Sequence, residues 1–272
     1  MNRRGVLVGA GAAVTGALSG CAEFDSSGSS VTASVSETYD ISRETVVTVS
    51  NRNGDITVGE SDSGQLRITG TKRAGSQAGL DSISIGTVEG DRFVVDGRFE
   101  SGAEFESRRL DFTIGIPTGV SVDTVSTANG SVTIRNVRGN VSATTANGTV
   151  VLDDVSGTVR CESGNGDVRA RETTGLVSAR TASGDVDVDV LSMPADVTCR
   201  AGTGDVTVRV GPNVSGEMQL RTARGSVSVT DLPYTATTER PGYIVGRLRD
   251  GGETALDASS SDGDIALLPA SG

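Results

Sequence analysis

Asp167, Asp185 and Asp205 each follow a glycine in the tripeptide Gly-Asp-Val, at intervals of 18 and 20 residues. If equal positions stack, their carboxylates form a weak cation ladder, since oxygen ligands suit hard cations. The ordinary work of an aspartate after a turn glycine is to cap the turn backbone. Arg180, Arg200 and Arg221 stand four residues before Gly184, Gly204 and Gly225, and Glu162 stands four before Gly166. Stacked guanidiniums present forked donors to an anionic ligand such as an acidic sugar. The plain alternative is a solvated arginine face.

Other chemistry is thinly provided. The chain has no histidine, which removes the commonest general base and the commonest transition-metal ligand. Cys161 and Cys199 each lie five residues before a repeat glycine, in one inward column with Ala143, Ala179 and Leu220. Two coils apart, they exceed the ~7 Å Cα limit for a disulfide and read as small core residues. Calcium-binding nonapeptide repeats need a fuller Gly-Gly-x-Gly-x-Asp turn, and corners such as Val137-Arg138-Gly139 lack the acid. A polysaccharide-cleaving solenoid needs paired carboxylates, usually with aromatic platforms, and the repeat faces carry no aromatic residue. No catalytic residue, specific metal site or cofactor is expected.

The elements that must position these residues are legible in the glycine column. Gly130, Gly148, Gly166, Gly184, Gly204 and Gly225 are spaced by 18, 18, 18, 20 and 21 residues. A period-2 strand pattern follows each, for example Val150/Leu152 and Val186/Val188. Gly139, Gly157 and Gly175 mark a second turn, followed by Val141/Ala143, Val159/Cys161 and Val177/Ala179. No such unit buries its apolar face alone, so the fold class is all-β, a β-solenoid of about 18-residue, two-strand coils with capped ends. The outward column Arg135, Asp153, Arg171, Asp189, Arg209 alternates in sign and favours in-register parallel stacking. A sandwich of regular hairpins is the rival, and it does not require residues one period apart to match.

The beginning of the chain is an address. Arg3-Arg4, the apolar run Val6–Leu18 and Leu18-Ser19-Gly20-Cys21 resemble, in that order, a twin-arginine export signal and a lipobox. Residues 1–20 read as signal peptide and 21–38 as the lipidated Cys21 with a Ser-rich tether. Residues 40–120 read as N-terminal cap and early coils, 121–230 as regular solenoid, and 231–272 as a C-terminal β cap. The expected location is the extracytoplasmic face of the cell membrane. A net charge of −11 with Lys72 as the only lysine suits a salt-loving organism and argues against nucleic acid as a partner. Asn129, Asn140, Asn147 and Asn213 each open an Asn-x-Ser/Thr sequon.

The order of the pieces carries a family resemblance. It runs from VVTVSNRNGDITV at 46–58, through Ile114-Gly-Ile-Pro-Thr-Gly-Val120 and the Asn-Gly repeats, to Gly263-Asp264-Ile265. It resembles the bacterial and archaeal "putative adhesin" domain, a β-strand-repeat family of unknown function, over residues 40–268. The resemblance implies a solenoid-like fold at the cell surface and carries over no catalytic residue. The expected function is a non-enzymatic cell-surface lipoprotein, an adhesin-like or scaffolding module. Its partners are the membrane, through Cys21, and envelope glycans or surface proteins. A sensory partner in an envelope stress response is the alternative, and a polysaccharide-active enzyme a weaker one.

Overall fold

The computed structural model describes residues 30–101 and 107–270. Among these, nine two-strand coils stack along one axis. In spatial order the first three are coil A (Arg92–Phe99, Arg109–Pro117), coil B (Val46–Asn53, Ile56–Ser61) and coil C (Ser121–Asn129, Val132–Arg138). Then come coil D (Val141–Asn147, Val150–Ser156), coil E (Thr158–Asn165, Val168–Arg171) and coil F (Gly175–Ser183, Val186–Val190). The last three are coil G (Val197–Thr203, Val206–Val210), coil H (Ala255–Asp262, Ile265–Pro269) and coil I (Gly216–Arg224, Val227–Val229). Every neighbouring pair of coils is joined by parallel ladders in both sheets. Parallel pairing is what stacking requires and a hairpin sandwich forbids.

The core is a thin layer of inward Val, Ile, Leu and Ala from both sheets, thickened in coil A by Phe93 and Phe112. Its corners turn on glycine. In coils C to I the corner glycines have φ between 132° and 153°, where a side chain is disfavoured. The corner also leaves no room: a Cβ on Gly148 would sit 2.1 Å from the Gly130 carbonyl oxygen. The second corner uses Gly139 and Gly157, preceded by the left-handed residues Asn136 and Asp154.

Coil order departs from chain order at both ends. The chain's second coil, A, lies outside its first, B, and its last coil, H, is inserted between G and I. The inward column therefore runs Cys199, Ala258, Leu220, so Ala258 separates residues that sequence order makes neighbours. The C-terminal cap also differs from the sequence expectation. Tyr234–Arg240 and Tyr243–Leu248 form an antiparallel hairpin on the outer edge of Gly216–Arg224. Residues 255–269 instead belong to the stack. The hairpin occupies the outer edge of coil I, so the inner edge is the one left for coil H.

At the other end, Ile83–Val88 covers one strand of coil A, and Leu66–Ala74 with Val31–Tyr39 covers the other, all antiparallel. Such strands shield an edge that would otherwise recruit another chain. They also shorten the expected tether, since residues 31–38 belong to an edge strand. The β-branched alternation of Val31-Thr-Ala-Ser-Val35 gives that segment a strand to form. A further difference is local. The register between coils E and F shifts after Val159, so Leu176 fills the inward place expected for Val177. Both residues are apolar, and a one-residue bulge exchanges their faces.

Candidate functional site

Three side-chain columns tie corners to their neighbours along parts of the stack. The residue after the corner glycine accepts the backbone N–H of its counterpart one coil on. Asp185 N donates to Asp167 Oδ1 (3.0 Å), Asp205 N to Asp185 Oδ1 (2.9 Å) and Asp264 N to Asp205 Oδ1 (2.7 Å). The cation-ladder aspartates are thus stacked as the sequence places them, with one oxygen each engaged in capping the next turn. Asp167 Oδ2 further pairs with Arg169 at 2.7 Å. Among the described residues no group of three or more acids, cysteines or histidines could hold a metal ion.

The second column was not read from the sequence, although its signal is present. Three residues before the glycine, a buried hydroxyl donates to the corner carbonyl of the preceding coil. Thr145 bonds Gly130, Ser163 bonds Gly148 and Thr181 bonds Gly166, each at 2.8 Å. Ser260 and Thr222 do the same for Gly204 and Gly263. Coil G has Ala201 at this place. In the third column, Asn165 Nδ2 donates to Asn147 Oδ1 (3.0 Å) and Asn147 Nδ2 to Asn129 Oδ1 (2.9 Å). Two of the four sequon asparagines are therefore held in an amide ladder. Asn140 accepts weakly from Thr158 N (3.4 Å), and Asn213 is exposed in the turn closed by Val214 N and Gly211 O.

The alternating column is an ion-pair network. Arg135 lies 3.7 Å from Asp153, Arg171 3.3 Å from Asp189, and Arg209 3.6 Å from Asp189. Asp187 also binds both Arg171 and Arg209. Cys161 and Cys199 are free and fully buried, with Ala179 between them. Burial pushes both thiols up, that of Cys199 to about 12, so neither is a nucleophile near neutral pH.

The arginine row lies on the outward face of the sheet formed by the first strands. In register it reads Glu162, Arg180, Arg200, Ser259, Arg221. Arg180 and Arg200 are direct neighbours, whereas Ser259 separates Arg200 from Arg221. Ser259, Arg200 and Arg221 share the offset of four before a corner glycine, so membership of the row is legible in sequence and spatial order is not. Beside the row run Ala182, Gly202, Ser261 and Ala223, with little or no side chain. Here Arg200, Gly202, Ser259, Ser261, Arg221 and Ala223 line a cleft of about 510 Å3. Arg200 Nη2 is 3.6 Å from Asp257, and among the described residues Arg180 and Arg221 have no acidic partner within ion-pair distance.

Residues 23–268 match the family model described as Toastrack DUF4097. The chain belongs to that family. The match to this Toastrack family covers the edge strand, all nine coils and the terminal hairpin. Among curated proteins none matches the chain. Among solved structures, a putative cell adhesion protein from Clostridium sporogenes is similar at 11% identity, covering 87% of this chain and 100% of that one, with a TM-score of 0.39. A putative adhesin from Bacteroides fragilis gives 9% identity, 86% and 97% coverage, and a TM-score of 0.35. A putative lipid binding protein from Parabacteroides distasonis gives 12%, 86% and 96%, and 0.34. Similarity at these scores carries no argument about function. Arg3, Arg4 and Cys21 lie outside the described residues.

Proposed function

We propose that this chain is a non-enzymatic, adhesin-like interaction module of the cell envelope, exported and lipid-anchored through Cys21, which binds anionic envelope components through its arginine row. One observation carries the reading. In a protein of net charge −11, Arg200 and Arg221 bracket Ser259 over an open cleft beside the small residues Gly202, Ala223 and Ser261. Arg221 has no acidic partner within ion-pair distance among the described residues and Arg200 is held by Asp257 through Nη2 at 3.6 Å, which leaves forked donors for an incoming carboxylate or sulfate.

The stack suits presentation away from a membrane. A chain tethered at Cys21 enters the fold at Val31, on the outermost strand, two strands beyond coil A. Counted along that sheet, coil I lies ten strand steps away, about 48 Å at the usual strand spacing. The cleft between coils G and I is then at the distal end of the molecule.

The test is saturable binding of residues 22–272 to intact cells and extracted envelope glycans, at low and molar salt. An Arg180/Arg200/Arg221 triple-alanine variant serves as the control. Binding lost in the variant supports the reading, and no binding by the folded wild type refutes it. Cys21→Ser is expected to release the full chain from membranes, and continued tight membrane association in that variant would overturn the anchor.

A further inference from the structure

We infer that the arginine row receives a linear acidic polysaccharide lying along the solenoid axis, across the strands, with successive sugars in step with successive coils. This rests on the binding face proposed above and adds the class and direction of its ligand.

Direction follows from where the charges stand. Within one strand the outward positions are Thr198, Arg200 and Gly202, so a ligand following the strand meets a single arginine. Across the strands it meets Arg180, Arg200, the Ser259 hydroxyl and Arg221 in four consecutive coils. The shelf beside the row also runs across the strands, through Ala182, Gly202, Ser261 and Ala223. Glu162 closes the row on the coil E side and repels a polyanion extending further.

Ligand class follows from the spacing. The coils repeat at about 4.8 Å, close to the advance of one pyranose in an extended chain. A uronate polymer then keeps step with the coils without bending. Where a twofold chain turns alternate carboxylates to one side, like-sided groups fall two sugars apart. Arg200 and Arg221 are likewise two coils apart, about 9.6 Å. Acidic protein and nucleic acid chains lack this repeat. At the coil I end of this face Tyr243 stands opposite Arg221, with the Arg240 guanidinium 4.6 Å from its ring centroid. Along coils F to I themselves recognition rests on charge-assisted and hydroxyl contacts.

The experiment titrates the full chain with oligogalacturonates of increasing length, with their neutral methyl esters and with polyglutamate. Affinity is expected to rise until the oligomer spans coils F to I, a run of four, and then to level off, with the esters and polyglutamate weaker. Arg200→Ala and Arg221→Ala each lose about tenfold, the worth of one charge-assisted contact. Arg221→Ala also shortens the length at which the affinity levels off. Far-UV circular dichroism of these exposed variants verifies that the fold is intact.

Equal affinity for polyglutamate overturns the sugar assignment. Affinity already maximal with the monosaccharide overturns the axial direction, while Arg-dependent binding to envelope glycans would still stand. Oligomer binding that neither arginine variant weakens removes the site from this face.

Discussion

At the residue scale the corner is a hydrogen-bonded relay. Each hydroxyl three residues before the glycine satisfies a corner carbonyl that points inward, where an unpaired acceptor is costly. Thr145→Val removes the donor to Gly130 at nearly constant shape and is expected to lower stability by about 1 kcal/mol in urea unfolding. Coil G offers the converse, because buried Ala201 leaves its place in the relay without a hydroxyl. Ala201→Ser is expected to raise the urea midpoint, and an unchanged or lower midpoint would count against the relay. The Ser226 N–H (2.7 Å) and hydroxyl (3.0 Å) both donate to Asp264 and hold its carboxyl below the usual carboxylate range. A folded pKa below the unfolded one means that this contribution is present above about pH 4 and fades as pH falls through the folded value. Asp264→Asn is expected to flatten that part of the acid limb of stability against pH.

At the scale of the coil, glycine is required twice, by its positive φ and by the carbonyl one coil away. Gly148→Ala and Gly166→Ala place a Cβ 2.1 and 2.3 Å from a backbone oxygen that cannot swing aside. Each is expected to cost at least about 1–3 kcal/mol, the scale of a strained backbone, read from urea unfolding; wild-type midpoints in both would contradict the corner assignment. The period, corners and parallel register were legible because every coil repeats the same local chemistry. The Arg135–Arg209 column repeats its alternation of charge in the same way. The Leu176/Val177 bulge was not legible, since two adjacent apolar residues fit the inward place equally well. The Val31–Tyr39 strand was hidden by a small, Ser-rich composition that also suits a tether.

At the scale of the molecule, the first and last coils of the chain are both interior, each covered by a coil from further along or further back. Sequence could not show this, because coil H and coil I satisfy the same offsets. Asp264 and Ser226 both fit after the corner glycine, and Ser259 and Arg221 both fit four before it. The decision lies in a distant contact, the pairing of Tyr243–Leu248 with the outer edge of coil I. The candidate site depends on that decision, because insertion of coil H opens the gap between Arg200 and Arg221 and places Ser259 within it.

The measurement that tests this most directly is disulfide formation between exposed cysteines under mild oxidation. It compares Arg200→Cys/Ser259→Cys with Arg200→Cys/Arg221→Cys. Neighbouring strands put the first pair about 4.8 Å apart, within disulfide reach, and the second about 9.6 Å apart, beyond it. Buried Cys161 and Cys199, with raised thiol pKa values, do not compete. Rapid linkage of the first pair and none of the second is expected. Linkage of the second pair alone would mean that coils G and I are direct neighbours, and would contradict both the inserted coil and the cleft built on it.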